Sequence, residues 1–242
     1  ISLRGTSPER SSKITIMEDG VLIAPAPYSA SSAYYFPTIA RMEAVEVLKG
    51  SSQIQYGPFT TGGAINMISN QIPESFSGRI RSSYGSFNSS QFHAIIGDNI
   101  NNFGYSLEYL NYGSDGFKKL SNDKNTGFDK NDIVLKFKIN LFPEAVVKQS
   151  LDIKLQYSDE ESNETYLGLT DNDFKTNPFK RYDGSAKDLM KNIHRQVVLT
   201  HTIDFTKNFR ITTNAYHNYF KRNWYKADYI TFNGDKQSIG KV

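Results

Sequence analysis

The sequence predicts a mainly β chain: a small mixed α+β domain, then the antiparallel strands of a partial, transmembrane-type β-barrel. Three observations carry that reading. Residues 1–73 are rich in Gly, Pro and Ser with short apolar runs, whereas from Gly78 onward one segment after another alternates apolar and polar residues. The links between those segments tend to alternate between short and long. No stretch approaches the ~18 consecutive apolar residues of a spanning helix, while a barrel strand needs only ~9–11 residues with every second one apolar.

The N-terminal elements follow from local chemistry. Ile14-Thr15-Ile16-Met17 reads as a strand, Glu18-Asp19-Gly20 as a tight turn and Val21-Leu22-Ile23 as the returning strand, because Asp-Gly between apolar runs accepts the positive φ of a hairpin turn. Residues 24–37 form a loop marked by Pro25 and Pro27, and 37–42 are expected to make one helical turn. Ala44 to Leu48 is a strand ended by Lys49-Gly50, and Ala64 to Ser69 is the last strand of the domain.

In the C-terminal part, Ile133, Leu135, Phe137, Ile139 and Leu141 interleave with Val134, Lys136, Lys138 and Asn140. Leu151, Ile153, Leu155 and Tyr157 alternate in the same way with Asp152, Lys154, Gln156 and Ser158, and Phe103 to Tyr109 repeats the pattern. Val197, Leu199, Ile203 and Phe205 share one face, interrupted by His201. Successive strand residues point to opposite sides, so each segment has one apolar and one polar wall. Further strands are expected at 78–87, 89–99 and 208–226. The links 98–102, 142–148 and 206–208 are short, 114–131 and 159–192 are long, and 85–90 is short where a long one is due. Outer-membrane barrels sort their turns and loops this way; a soluble antiparallel meander with two long loops is the alternative at this point.

Composition removes other classes. A net charge of +3 is too mild to argue for nucleic acid, and the absence of Cys removes disulfide and thiolate chemistry. His93, His194, His201 and His217 have no second ligand at metal spacing. Asp159, Glu160, Glu161 and Glu164 could form an acid/base pair or a cation site but read as a solvated loop. Gly62-Gly63 lacks the Lys-Ser/Thr of a phosphate loop. With no nucleophile–base set, no enzyme is expected, and neither a protein-bound cofactor nor a metal.

Five motifs in order over residues 1–73 resemble the plug of TonB-dependent outer-membrane receptors. Ile1-Ser2-Leu3-Arg4-Gly5 is similar to the family's apolar-Arg-Gly motif, and Ile14 to Val21 to its strand ending in Asp-Gly-Val. Arg41 to Gly50 resembles its Ile-Glu-x-Ile-Glu-Val-x-Arg-Gly block, with Lys49 where Arg is usual. Tyr56-Gly57 and Gly62 to Ile68 resemble the two motifs that close the plug. Ala26-Pro27-Tyr28, Tyr56-Gly57-Pro58 and Gly168 to Phe174, followed by Pro178 to Tyr182, are similar to ferric-dicitrate-type receptors.

The resemblance implies a plug over 1–73 inside the lumen of a barrel of ~22 strands, of which 74–242 would supply only about the first seven. It implies an active importer in the outer membrane of a Gram-negative bacterium, in contact with membrane lipid. The cargo would be a ferric chelate, ferric citrate or a siderophore, that carries its own iron. The TonB complex would energise import through a segment expected before Ile1. Haem, cobalamin or a glycan is the alternative cargo, and a soluble β-rich binding module the alternative class. An anionic chelate calls for cationic and hydrogen-bonding groups: Arg181, Arg195 and Lys180, with Pro27, Tyr28 and Ser29 on the plug apex. Arg4, Arg41, Glu43 and Glu46 are expected to lock plug to barrel.

Overall fold

The computed structural model describes residues 2–6, 13–23, 35–57, 60–232 and 234–238. Two sheets dominate. The N-terminal sheet has the order β2 (Val21–Leu22), β1 (Ile14–Glu18), β4 (Gly63–Ser69), β3 (Met42–Leu48), with β1 and β4 parallel. The β1–β2 turn is the expected hairpin: Asp19 and Gly20 have φ of 51° and 77°, the paired positive values that a two-residue turn between twisted strands requires. All five residues of β1 are buried. Ile14, Ile16, Ile23, Tyr35, Ile65 and Met67 make the core of this domain, and Phe220 from the second sheet packs against it. Short 3-10 turns at Ile39–Arg41 and Ser51–Tyr56 flank β3.

The second sheet is a seven-stranded antiparallel meander in chain order: β5 (Ser77–Gly85), β6 (Ser89–Ile100), β7 (Phe103–Ser114), β8 (Phe128–Leu141), β9 (Lys148–Ser162), β10 (Leu189–Thr206) and β11 (Phe209–Tyr225). A small hairpin, β12 (Tyr229–Phe232) and β13 (Asp235–Ser238), follows. The turns after β6, β8 and β10 are short and lie at one end, while the long links 115–127 and 163–188 lie at the other. The long links are built structures: α1 (Asp171–Thr176) is capped by the Thr170 side chain, which accepts from the Asp173 amide. The longer one is tied back to the shorter by backbone bonds between Lys119 and Phe179 and between Arg181 and Lys119.

The two faces of the meander are inverted relative to a soluble sandwich. The N-terminal domain sits against the polar face, where Glu108, Asp132, Lys154, Gln156, Ser158, His194 and Gln196 are buried. Leu107, Ile133, Leu155, Val197, Leu199 and Ile211 point the other way and stay exposed. On β8 the outward apolar residues run from Ile133 to Leu141, ~27 Å along the strand at ~3.4 Å per residue. With a strand tilt of ~40° that is ~20 Å along the normal, near the ~25 Å apolar band of a membrane barrel. No described helix is long and apolar enough to cross a membrane.

The N-terminal sheet ends at Ser69 and the first wall strand starts at Ser77. Between them Pro73 crosses the wall over Gly97, where an added Cβ would lie 2.7 Å from Pro73 Cδ and from the Tyr105 carbonyl oxygen. Only a residue without a side chain admits that approach.

Candidate functional site

The interface between the N-terminal domain and the wall is organised around Arg41. Its 3-10 turn is held by the Arg41 amide donating to the Thr38 carbonyl, which aims the side chain across the interface. The guanidinium donates twice to Glu18 at 2.7 Å, in the bidentate geometry that makes Arg–carboxylate pairs strong, and once to Asp132 of β8 at 3.2 Å. Thr38 Oγ1 also donates to Asp132, at 2.5 Å. From β9, Lys154 donates to Glu18 and, at 2.6 Å, to Asp19. Lys136 of β8 lies 3.7 Å from Asp19 and donates to Ser69 Oγ and the Asn70 carbonyl. Arg41, Glu18 and Asp132 have side chains at most 1% exposed.

The electrostatics of this network are one-sided. Burial pushes the Glu18 carboxyl up, but the Arg41 guanidinium and the Lys154 ammonium outweigh it and hold it at about 2. For Asp19, burial is likewise overcome, by Lys154 and Lys136, and its carboxyl falls well below the usual range. Burial would weaken the Arg41 charge, yet Glu18 and Asp132 raise it further. Glu18, Asp19 and Arg41 are therefore ionised at neutral pH. A buried pair broken on one side strands a charge, at ~3–5 kcal/mol.

Two further contacts fix the domain. Asn70 donates to the Arg41 carbonyl at 2.9 Å and to Glu108 at 2.8 Å, and Glu108 also meets His93 Nε2 at 2.7 Å. Tyr35 stacks on His194 with centroids 3.8 Å apart and accepts from Gln156 Nε2 at 2.8 Å. Asp132, Ser158 and His194 lie in one lateral row across β8, β9 and β10. Ser158 Oγ and both His194 ring nitrogens have no hydrogen-bond partner among the described residues, so the row is not a nucleophile–base relay. No described group of His and carboxylates can hold a metal ion.

The expected lock residues separate. Arg41 sits at the centre, but its partners are Glu18 and Asp132. Glu43 is exposed at the β3–β4 register shift and makes no ion pair among the described residues, so it is no part of the network. Glu46 is exposed and accepts from Asn66 of the same domain at 2.9 Å, within the sheet rather than across to the wall. Arg4 is exposed and forms no ion pair with a described residue.

The expected ligand contacts separate too. Lys180 and Arg181 lie together in the long link, Lys180 over the Tyr182 ring at 5.5 Å and 3.6 Å from Asp173. Arg181 donates to the Pro178 and Lys180 carbonyls. Lys118 belongs with them: partial burial and the nearby Arg181 charge lower its pKa, and its ammonium donates to Thr165 at 2.7 Å. Arg195 is a correction. It lies on the outward face of β10, between the rings of Tyr157 and Tyr219 at 5.7 and 5.8 Å. That row continues through Ile133 to Tyr109, at the outer edge of the apolar band. The structure thus places Arg195 on the face away from the N-terminal domain, apart from the inward-facing residues of β10. Pro27, Tyr28 and Ser29 lie outside the described residues.

Residues 1–64 match the TonB-dependent Receptor Plug Domain. Over these residues the N-terminal domain is similar to a TonB-dependent receptor plug. Nine-tenths or more of the chain shares its fold with each of several solved receptors. The ferric citrate transporter FecA in its unliganded form aligns with a TM-score of 0.74 at 20% identity, covering 96% of this chain and 34% of that one. The siderophore receptor PiuA from Acinetobacter baumannii gives 0.67 at 17%, covering 92% and 30%. The ferric yersiniabactin uptake receptor FyuA from Yersinia pestis gives 0.67 at 17%, covering 90% and 34%. At these identities the likeness is one of fold, and the chain spans about a third of each receptor. The meander is thus barrel wall, with the plug on its lumen side and the apolar band outside. TonB-dependent receptors are transporters of the Gram-negative outer membrane, not enzymes.

Proposed function

We propose that this chain is part of an outer-membrane importer of a ferric chelate, ferric citrate or a siderophore, energised through TonB. The observation that carries this reading is the plug fastened to the lumen wall by the buried Arg41–Glu18–Asp132–Lys154 network. Such a lock is strong while every member is present and fails once one moves, which suits a stopper that must hold and then yield. The iron is cargo, held by its chelate. Lys118, Lys180 and Arg181 in the joined outer links are the cationic groups offered to an anionic chelate, with Pro27, Tyr28 and Ser29 on the plug apex as a second contact. The likeness to FecA and the Gly168 to Phe174 stretch, which forms the cap and first turn of α1, favour citrate over haem, cobalamin or a glycan.

The experiment is titration of the full-length receptor with ferric dicitrate, followed by uptake with and without TonB. The reading expects saturable binding at micromolar ligand and uptake only with TonB. Saturable binding of haem, cobalamin or a glycan in its place would move the cargo; uptake without TonB would end the energised-import reading.

A further inference from the structure

Lys136 and Lys154 face each other directly across the β8–β9 ladder, and Lys138 follows two residues on, on the same lumen face. Like charges directly opposite in a sheet repel and are destabilising. Here the repulsion is relieved from outside the sheet: the Asp19 carboxylate lies 2.6 Å from Lys154 and 3.7 Å from Lys136, and Glu18 accepts a further hydrogen bond from Lys154. The plug contributes Arg41, Glu18 and Asp19 to the network, a net charge of −1; the wall contributes Lys136, Lys154 and Asp132, a net charge of +1. The plug therefore meets the wall as an anion. Beside the contact is a cavity of about 300 Å³ bordered by Asp19, Lys136, Lys138, Asp152, Lys154 and Thr200. It lies on the short-turn side of the Arg41 network, since Lys138, Asp152 and Thr200 form the row nearer those turns.

We infer that Lys136, Lys138 and Lys154 form an anion-binding station on the import path: the plug carboxylates Glu18 and Asp19 hold Lys136 and Lys154 while the plug is seated, and Lys138, directly across the ladder from Asp152, borders the cavity beside them. A multiply charged anionic chelate entering as the plug withdraws exchanges with those carboxylates. The wall lysines are then never left facing one another unneutralised, and the plug's departure and the cargo's arrival favour each other. The station is separate from the outer-link cations and comes after them on the path. This rests on the import reading for its purpose, but not for its chemistry.

The test uses the full-length receptor in membranes, citrate as the probe, and acetylation of individual lysines read by mass spectrometry. In the wild type, citrate should not change labelling at Lys136, Lys138 or Lys154. In the double variant Glu18→Gln, Asp19→Asn, Lys136 and Lys154 should label faster, having lost those carboxylates, and millimolar citrate should slow them and Lys138 several-fold. Unchanged labelling of the folded variant at every citrate concentration overturns the inference, whatever the cargo proves to be. A second variant leaves the lock whole: Lys138→Gln should slow ferric dicitrate uptake several-fold with outer-site affinity unmoved, and Lys138→Arg should restore it. Uptake by Lys138→Gln equal to the wild type also overturns it, whereas a wild type that neither binds nor imports ferric dicitrate counts against the cargo reading, and citrate protection then decides the station alone.

Discussion

Replacing Arg41 with Met keeps much of the bulk at the plug–wall contact and removes the charge. Three hydrogen bonds disappear, two to Glu18 and one to Asp132. At ~1.5–3 kcal/mol for each bond to a charged group they sum to ~4.5–9 kcal/mol. That is an upper limit, because Lys154 still neutralises Glu18 in the variant. Asp132 keeps only the Thr38 hydroxyl and is left buried without a cation. One stranded carboxylate places the cost at the low end of the ~3–5 kcal/mol for breaking a buried pair, about 3 kcal/mol. That shifts the balance between seated and displaced plug about a hundredfold. Hydrogen exchange of the amides of 14–23 in the full-length receptor, at fixed pH, reads that balance. Adding Asp132→Asn should recover part of the loss, since it removes the stranded charge. A cost below ~1 kcal/mol, or an Asp132→Asn that adds its full single cost to the Arg41 variant, would refute the reasoning.

Other outcomes follow from the same geometry. Glu18 titrates at about 2 in the folded protein against 4.5 normally, so its contribution is present above pH 4.5 and is lost as pH falls toward 2. The urea midpoint for plug displacement should drop through that window, and Glu18→Gln should flatten the drop; an unchanged slope in the variant would contradict the assignment. Leu135→Arg, on the outward face, should cost ~2–4 kcal/mol of barrel stability in a bilayer if it lies near the midplane, measured by reversible unfolding into urea. Arg195→Ala should leave chelate affinity unchanged, while Arg181→Ala should weaken it by ~1.4 kcal/mol or more, tenfold in Kd by titration; a weakened Arg195 variant would return that residue to the ligand site.

The strands were legible because a membrane wall imposes a strict period of two. The apolar parity of Ile133 to Leu141 and of Leu151 to Tyr157 is the outward face of β8 and β9. The same parity, extended back from Val197 and Leu199, puts Arg195 outside. Arg195 also flanks the long link, where a cation suits an anionic ligand, and only the strand parity separates the two placements. The lock was half legible. Arg41 stands in a plug motif, but Glu18 and Asp19 were hidden inside a turn signal that their neighbour Gly20 explains by itself. Their wall partners, Lys136 and Lys154, are 117 to 136 residues away, and parity says that these face the lumen without saying what they meet. The expectation for Glu43 rests on its place in a plug motif, which does not fix the direction of its side chain, and Glu43 falls at the register shift between Met42 and Ala44. Asp132, 1% exposed, carries a usable signal, an acid on the lumen parity of a strand that places Lys130, Lys136 and Lys138 on the same side.

The claim beneath the rest is that the apolar parity of the wall touches lipid and the polar parity encloses the plug. Spin labels placed singly from Ile133 to Leu141 in the full-length receptor, reconstituted in a bilayer, test it through collision with dissolved oxygen. The account predicts oscillation with a period of two, with maxima at 133, 135, 137, 139 and 141. A flat profile, or maxima at the even positions, would contradict it.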